Sequence, residues 1–227
     1  MVGALLVPTP GRADTPPPTE CDRLAAHPWD PERVAEGVPQ DALDQAALAA
    51  CRDAVAERPE SARLAYQLGR VLERLGYLDE ALVYLRRAAA ADYVQAAYAL
   101  GLTHYRIASQ VRDDAAAVAW WRKAGALGHG PALAALAMAE RDGRGTPFEP
   151  VAAFVHMREA AKLGFADAQY AVGMACMTGM IAGSEHRPNR RAPCAIGENV
   201  IWLGRAADQE HAEARDILFE LGRAEQP

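Results

Sequence analysis

Residues 131–163 read PALAALAMAERDGRGTPFEPVAAFVHMREAAKL, and this stretch decides the fold. A helix rich in small residues is followed by the loop Asp142-Gly143-Arg144-Gly145-Thr146-Pro147 and then by a second alanine-rich helix, which Gly164 ends. The same pattern begins again at Ala168. A repeat of about 20–50 residues determines the architecture of a whole chain, so its period is the primary signal here.

Three markers share one spacing along the chain. A Leu-Gly-like pair recurs at intervals of 32, 36 and 36 residues, at Leu68-Gly69, Leu100-Gly101, Leu136-Ala137 and Val172-Gly173. The second helix carries an alanine at Ala81, Ala117 and Ala153, with Asn199 in the fourth slot, and a charged residue before alanine recurs at residues 87, 123, 159 and 205. Small residues let paired helices approach closely, and hairpins that cannot bury their apolar faces alone stack on their neighbours. The sequence therefore predicts an all-α fold, an α-solenoid of stacked antiparallel helix hairpins with terminal capping helices.

The markers divide the chain into three parts. Residues 1–19 carry an apolar run, a small-x-small site ending at Ala13 and a proline-rich linker, so they fit either a signal peptide with a clipped start or a disordered leader. Residues 20–60 are predicted to form an N-terminal capping segment, in which Asp41 caps a helix that runs to about Glu57. Residues 61–222 hold about four repeats, and Ser61 is predicted to cap the first repeat helix. Because Asn199 falls 46 residues after Ala153, a loop insertion is predicted at residues 179–197.

Composition narrows the class of function. A hydrophobic content of 51% indicates a folded chain, and a net charge of -6 argues against nucleic-acid binding. No apolar run approaches the ~20 residues of a membrane helix. The six histidines form no metal-ligand spacing, and the sequence holds no nucleophile-elbow, zinc-protease or phosphate-loop motif. We therefore predict no catalytic residue, no metal site and no cofactor.

Two groups of residues resemble known repeats. Tyr66-Gln67-Leu68-Gly69, with residues 75–81 and Arg87-Ala88, resembles a tetratricopeptide repeat. The later repeats, with Gly143-x-Gly145-x-Pro147 and residues 159–161, look like the longer Sel-like subclass found in bacterial proteins. Repeat two departs from the pattern at its loop glycines, and its aromatic pair Trp120-Trp121 is expected to pack in the core between repeats. Repeat three has His156-Met157 in place of this pair. The resemblance implies a scaffold or adaptor that binds other proteins, and it does not name the partner.

The four cysteines bear on location. Cys21, Cys51, Cys176 and Cys194 allow three pairings, of which Cys21–Cys51 with Cys176–Cys194 crosses the fewest repeats. With the leader, this pairing favours a periplasmic or secreted bacterial adaptor. The alternative is a cytosolic regulatory repeat protein with four free thiols. A third interpretation, a cysteine-rich repeat hydrolase of the β-lactamase-like kind, is disfavoured because such relatives carry a disulfide in each repeat.

The first helix of each hairpin is expected to line a concave groove that binds a protein or peptide. Tyrosine and arginine dominate binding hot spots, and methionine adapts to irregular partners. Counting from the Leu-Gly markers, the predicted partner-binding residues are Arg63, Tyr66, Arg70, Tyr98, Tyr105, Arg106, Tyr170 and Met174. The alternative is that the tyrosines only shield the edge of the core. The oligomeric state is left open.

Overall fold

The structure is a computed structural model that describes residues 17–106, 112–179 and 192–224. Most of the predicted leader and residues 180–191 of the predicted insertion lie outside the described residues. Within the described ranges the chain is all-α and contains no strand. The α-helices are α1 (Glu20–Ala25), α2 (Gln45–Glu57), α3 (Ala62–Arg74), α4 (Leu78–Ala90), α5 (Val94–Tyr105), α6 (Asp114–Ala126), α7 (Gly130–Asp142), α8 (Pro150–Lys162), α9 (Ala166–Thr178), α10 (Glu198–Asp208) and α11 (Ala212–Ala224).

The chain forms two compact units, residues 1–81 (unit 1) and residues 82–227 (unit 2). In unit 1, α1 packs on α2 and α3, and α2 packs on α3. In unit 2, each helix from α5 to α11 packs on the next one along the chain. This arrangement is the predicted α-solenoid of helix hairpins. The predicted division at residues 19, 60 and 222 stays a prediction.

Side chains at the helix starts explain where the first long helices begin. Ser61 accepts a hydrogen bond from the Leu64 amide and so begins α3, as the sequence predicts. The prediction that Asp41 caps α2 is wrong, because Asp41 lies in a 3-10 turn and Asp44 accepts from the Ala47 amide instead. Leu43 explains the shift. It is extended and buried between the turn and the helix, so the helix cannot start before it.

The glycine of the Leu-Gly marker makes room for a large side chain of the second helix. A Cβ atom on Gly101 would lie 2.2 Å from Nε1 of Trp121, which is 1% exposed. A Cβ atom on Gly173 would likewise lie 2.8 Å from Cγ of the fully buried Leu203. The marker therefore fixes the distance between the paired helices of a hairpin, and Trp121 is a core residue as predicted.

The loop after α7 is attached to the preceding hairpin through Arg144. Its guanidinium carbon lies 3.7 Å from the centre of the Tyr105 ring, and its nitrogens donate to both carboxylate oxygens of Asp114. Hydrogen bonds from Arg112 and Arg144 hold the pKa of Asp114 at about 2. The repeat loop is therefore ordered by a charged pair and a cation–π contact.

Two disulfides close segments of the chain. Cys21–Cys51 joins α1 to α2 in the core of unit 1, and Cys176–Cys194 joins α9 to the residues that precede α10. These are the two pairs that the sequence analysis favours. No helix in the described ranges is both long and apolar enough to span a bilayer.

Candidate binding surfaces

The repeat register defines one set of equivalent positions on the first helix of every hairpin, which we call the inner face. In α3 the inner face consists of Arg63, Tyr66, Gln67 and Arg70. Shifts of 32, 36 and 36 residues carry these positions to Gln95, Tyr98, Ala99 and Leu102 of α5, to Pro131, Ala134, Ala135 and Met138 of α7, and to Asp167, Tyr170, Ala171 and Met174 of α9.

In unit 1 the inner face is covered by the chain's own N-terminal segment, residues 19–43. Arg70 is only 4% exposed. Its guanidinium donates to the carbonyl oxygens of Ala25 and Ala26, both at 3.1 Å, and to that of Val38. The first two carbonyls belong to the end of α1, where a helix leaves its last acceptors without partners. Arg70 therefore caps α1 and holds the following loop against α3.

A second buried polar cluster fixes the start of the same segment. Asp22 is fully buried, and its carboxylate accepts hydrogen bonds from Gln67 Nε2 at 3.1 Å and from an Arg63 nitrogen at 3.2 Å. Thr19 completes the cluster with a capping box around Asp22. A buried carboxylate is tolerable only when its oxygens are paired in this way. The inner face of α3 therefore recognises α1 by specific polar contacts.

The aromatic residue of this face is covered too. Tyr66 is 2% exposed, and its ring centre lies 6.3 Å from that of His27. Burial first, and the nearby Arg70 second, lower the pKa of His27 to about 4. Three predicted partner-binding residues, Arg63, Tyr66 and Arg70, thus contact the chain's own N-terminal segment in this structure.

In unit 2 most of the same positions are partly exposed, although Gln95 and Ala134 are buried, and the set is almost without charge. Asp167 is the one charged residue among the twelve inner-face positions of α5, α7 and α9. Met138 is 46% exposed, and Tyr98, Leu102, Tyr170 and Met174 are half-buried. The predicted residues Tyr98, Tyr170 and Met174 therefore lie on a partly exposed apolar surface.

Two tyrosine–histidine contacts order this surface. The rings of Tyr98 and His129 lie 4.7 Å apart, and those of Tyr170 and His211 lie 4.5 Å apart. His129 Nδ1 accepts from the Ala132 amide, which leaves its Nε2–H to donate to Gln95 Oε1 at 2.8 Å. Burial, and then the charge of Asp167, raise the pKa of Tyr98 and keep its hydroxyl neutral. Both tyrosines are thus held in fixed orientations.

The sequence analysis missed these histidines, although a signal for them exists. An aromatic residue or a histidine immediately precedes α5, α7, α9 and α11. These residues are Tyr93, His129, Phe165 and His211. The spacing of 36, 36 and 46 residues matches the markers of the second helices. The period therefore identifies a fourth marker, which begins each first helix.

The remaining predicted residues lie near the end of α5. Tyr105 packs edge-on against Trp121, with ring centres 4.8 Å apart, and it carries Arg144 on its face. Burial is the main cause that raises the pKa of Tyr105. Arg106 is exposed and follows the last residue of α5. Tyr105 therefore supports the repeat loop, whereas Arg106 is an exposed residue at the end of α5.

Comparison with solved structures shows the class of fold. A protective antigen of uropathogenic Escherichia coli strains, which displays an SLR (Sel1-like repeat) fold, matches 75% of this chain at a TM-score of 0.63 and 24% identity. A Sel1 repeat protein from Oxalobacter formigenes matches 76% of it at a TM-score of 0.60 and 21% identity. The chain spans 35% of the first protein and 66% of the second. No family model and no curated protein matches the chain.

The chain therefore has the Sel-like, tetratricopeptide-like repeat fold, as its motifs predict. Folds of this class commonly mediate protein–protein interaction and are generally non-catalytic.

Proposed function

We propose that this protein is a non-enzymatic adaptor outside the cytoplasm. It binds an apolar polypeptide segment of a partner protein along the inner face of α5, α7 and α9.

The observation that carries this proposal is the covered inner face of unit 1. There the first helix of a repeat already binds a polypeptide segment, through positions 63, 66, 67 and 70. The repeat register places the same positions on the partly exposed faces of α5, α7 and α9. A surface used for a chain segment in one repeat supports the same use in the next repeats, because first helices share their geometry.

The chemistry of the two faces differs, and so do the ligands they suit. The face of α3 offers two arginines and a glutamine to a carboxylate and to backbone carbonyls. The face of unit 2 offers alanine, leucine, methionine and two oriented tyrosines. Apart from the exposed Asp167, these positions supply no counter-charge for the charged side chains of a partner, so a segment that is mostly uncharged and apolar fits best.

The two disulfides support an extracytoplasmic location. Structural disulfides persist in oxidising compartments and are rare in the cytosol. Cys21 and Cys51 are both fully buried, so their bond belongs to the core of unit 1. A periplasmic or secreted protein fits this chemistry.

Selection of peptides on the oxidised full-length chain tests the proposal. A displayed library of random peptides should yield uncharged, apolar binders. Replacing Tyr98 and Tyr170 together by alanine should weaken these binders at least about tenfold, since aromatic residues dominate such interfaces. Tyr77→Ala serves as the control, because Tyr77 is 48% exposed and lies outside the inner face. Binders that are mostly charged, or that bind the double variant as well as the parent chain, would overturn the proposal.

A further inference from the structure

Repeat three departs from its neighbours at one core position. In repeats two and four, Trp121 and Leu203 pack against the marker glycine and are fully buried. The same register position in repeat three is Met157, and the marker glycine is replaced there by Ala137. Met157 is only partly buried. Trp121 and Leu203 fill the space beside the marker residue in repeats two and four, and we call this space the slot. In repeat three Met157 fills the slot only in part.

A pocket lies at this slot. It has about 420 Å³ of empty space, including the part that is open to solvent. Tryptophan fills this register position in repeat two, so one large side chain is the occupant that suits the space beside Met157. Four alanines leave the space empty. The lining residues are Ala137, Met138 and Arg141 of α7, Pro150, Ala153, Phe154 and Met157 of α8, and Ala171 and Ala175 of α9.

The lining is apolar and its one charged residue is already paired. Arg141 Nε lies 2.7 Å from Asp142 Oδ1, and a second nitrogen of Arg141 lies 3.2 Å from Asp142 Oδ2. Met138 and Met157 line the pocket, and methionine adapts its shape to the group that it contacts. The pocket therefore suits an uncharged side chain, either aromatic or branched aliphatic.

The pocket is continuous with the inner face, because Met138 and Ala171 belong to both. We propose that this pocket is an anchor site: it receives one bulky, uncharged side chain of the polypeptide segment that lies on the inner face. The inference rests on the proposed function and adds a specificity element to it. Segments that lack such a side chain should bind the inner face only weakly.

Two variants close the pocket from different sides. Met157→Trp, made together with Ala137→Gly because a Cβ at this marker position would clash with tryptophan, places there the pair that repeat two uses. Ala171→Leu enlarges a lining residue of α9. Ala135→Leu is the control for the second variant, since Ala135 has the same register position in α7 and does not line the pocket. The probes are the peptides selected on the full-length chain, each with a version in which its largest apolar residue is alanine.

Replacing the largest apolar residue of a selected peptide by alanine, which we call the anchor-to-alanine change, should weaken its binding to the parent chain at least about tenfold. The same loss is expected for binding to the Ala135→Leu variant. On Met157→Trp and Ala171→Leu the parent peptide should lose a similar factor, and the anchor-to-alanine change should then add little. Full anchor dependence on both pocket variants would overturn the proposal. If those peptides still depend on Tyr98 and Tyr170, the proposed function survives and only the anchor site fails.

A second measurement does not depend on peptide selection. N-acetyl-tryptophan amide, titrated in the millimolar range, should shift the methyl NMR signals of Met138 and Met157 in a saturable way. Ala171→Leu should abolish these shifts and Ala135→Leu should not. Shifts that do not saturate, or that persist in Ala171→Leu, would refute the anchor site even if no peptide is ever selected.

Discussion

The inner face of α3 and the inner faces of α5, α7 and α9 occupy the same repeat positions but are used differently. In α3 the face is polar, buried and bound to residues 19–43 through Arg70 and Asp22. In unit 2 it is apolar and partly exposed. A single register position shows the contrast, since it holds Arg70, Leu102, Met138 and Met174 in turn.

The difference distinguishes a structural role of this face in unit 1 from the role in partner binding that we propose for unit 2. A buried arginine with several carbonyl partners is a permanent contact, because removing it leaves acceptors without donors. A half-exposed methionine can be covered or uncovered at little cost to the fold. The α3 face is therefore part of the stability of unit 1, whereas the partly exposed faces of unit 2 are the ones that we propose for binding a partner.

Arg70→Ala should give the largest effect. It removes the Arg70 donor from the carbonyls of Ala25 and Val38, takes one of two donors from that of Ala26, and opens a void, so unit 1 should lose about 3–5 kcal/mol of stability. Thermal unfolding and limited proteolysis within residues 26–38 measure the loss. Arg74→Ala, at an exposed position of the same helix, should leave both measurements unchanged. Equal effects from the two substitutions would contradict a specific role for Arg70.

Removing the Cys21–Cys51 disulfide should come next. The bond closes a sequence separation of 30 residues, so chain entropy alone gives about 3–4 kcal/mol for replacing both cysteines by serine. Denaturant unfolding of the double serine variant measures this loss. Replacing Cys176 and Cys194, separated by 18 residues, should cost slightly less. A larger loss at the second pair would show that the N-terminal segment is held mainly by its polar contacts.

Acidification should weaken unit 1 through His27. Its pKa is about 4 in the folded chain, below the ordinary value of 6.5, so the unfolded state binds more protons between these values. Stability from this group is complete above pH 6.5 and declines as the pH falls towards 4. The ring is half-buried, and solvent screening reduces the effect to about 1 kcal/mol. Urea unfolding at pH 7 and pH 4.5 should show the decline in the parent chain, and His27→Gln should reduce it.

Met138→Ala should give the smallest change in stability, about 0.5 kcal/mol or less, although it replaces the counterpart of Arg70. The same variant should bind the selected apolar peptides more weakly, because Met138 borders the anchor site. Unfolding and peptide affinity measured on one preparation check both halves of this prediction. A loss of stability comparable to that of Arg70→Ala would show that the inner face of unit 2 is structural.

The sequence predicts the hairpins well because their markers are local or periodic. Ser61 begins α3 as predicted, and the Leu-Gly pairs mark the first helices because their glycines meet Trp121 and Leu203. Helix periodicity and capping act over a few residues, so one chain suffices to detect them. The start of α2 was misassigned because the burial of Leu43 depends on tertiary packing that the sequence does not display.

Only the structure separates the covered from the exposed residues among the candidate binding positions, for a physical reason. Tyr98, Tyr170 and Met174 lie on the open face, but the pattern that selected them also selected Arg70. Arg70 donates hydrogen bonds to backbone carbonyls more than 30 residues away in the sequence. Every residue type carries a backbone carbonyl, so the sequence does not indicate which residues accept these bonds. The sequence does indicate one feature of the proposed anchor pocket, because Met157 stands where repeat two has an aromatic residue. Only the structure shows that Ala137, Ala171 and Ala175 surround this position and leave space there.

Met157 stands at the register position that Trp121 and Leu203 occupy in the neighbouring repeats, and this difference has a consequence for how such proteins diversify. Repeat arrays grow by duplication of whole hairpins, and a copy of residues 130–164 would carry most of the pocket wall with it. Neighbouring helices lie about 8–10 Å apart, so two adjacent copies would present two pockets at a separation that a few extended residues can bridge. A single substitution at this register position would therefore create or remove one proposed anchor pocket. The number and order of such pockets would determine which side chains a partner segment needs, while the surrounding helices stay the same.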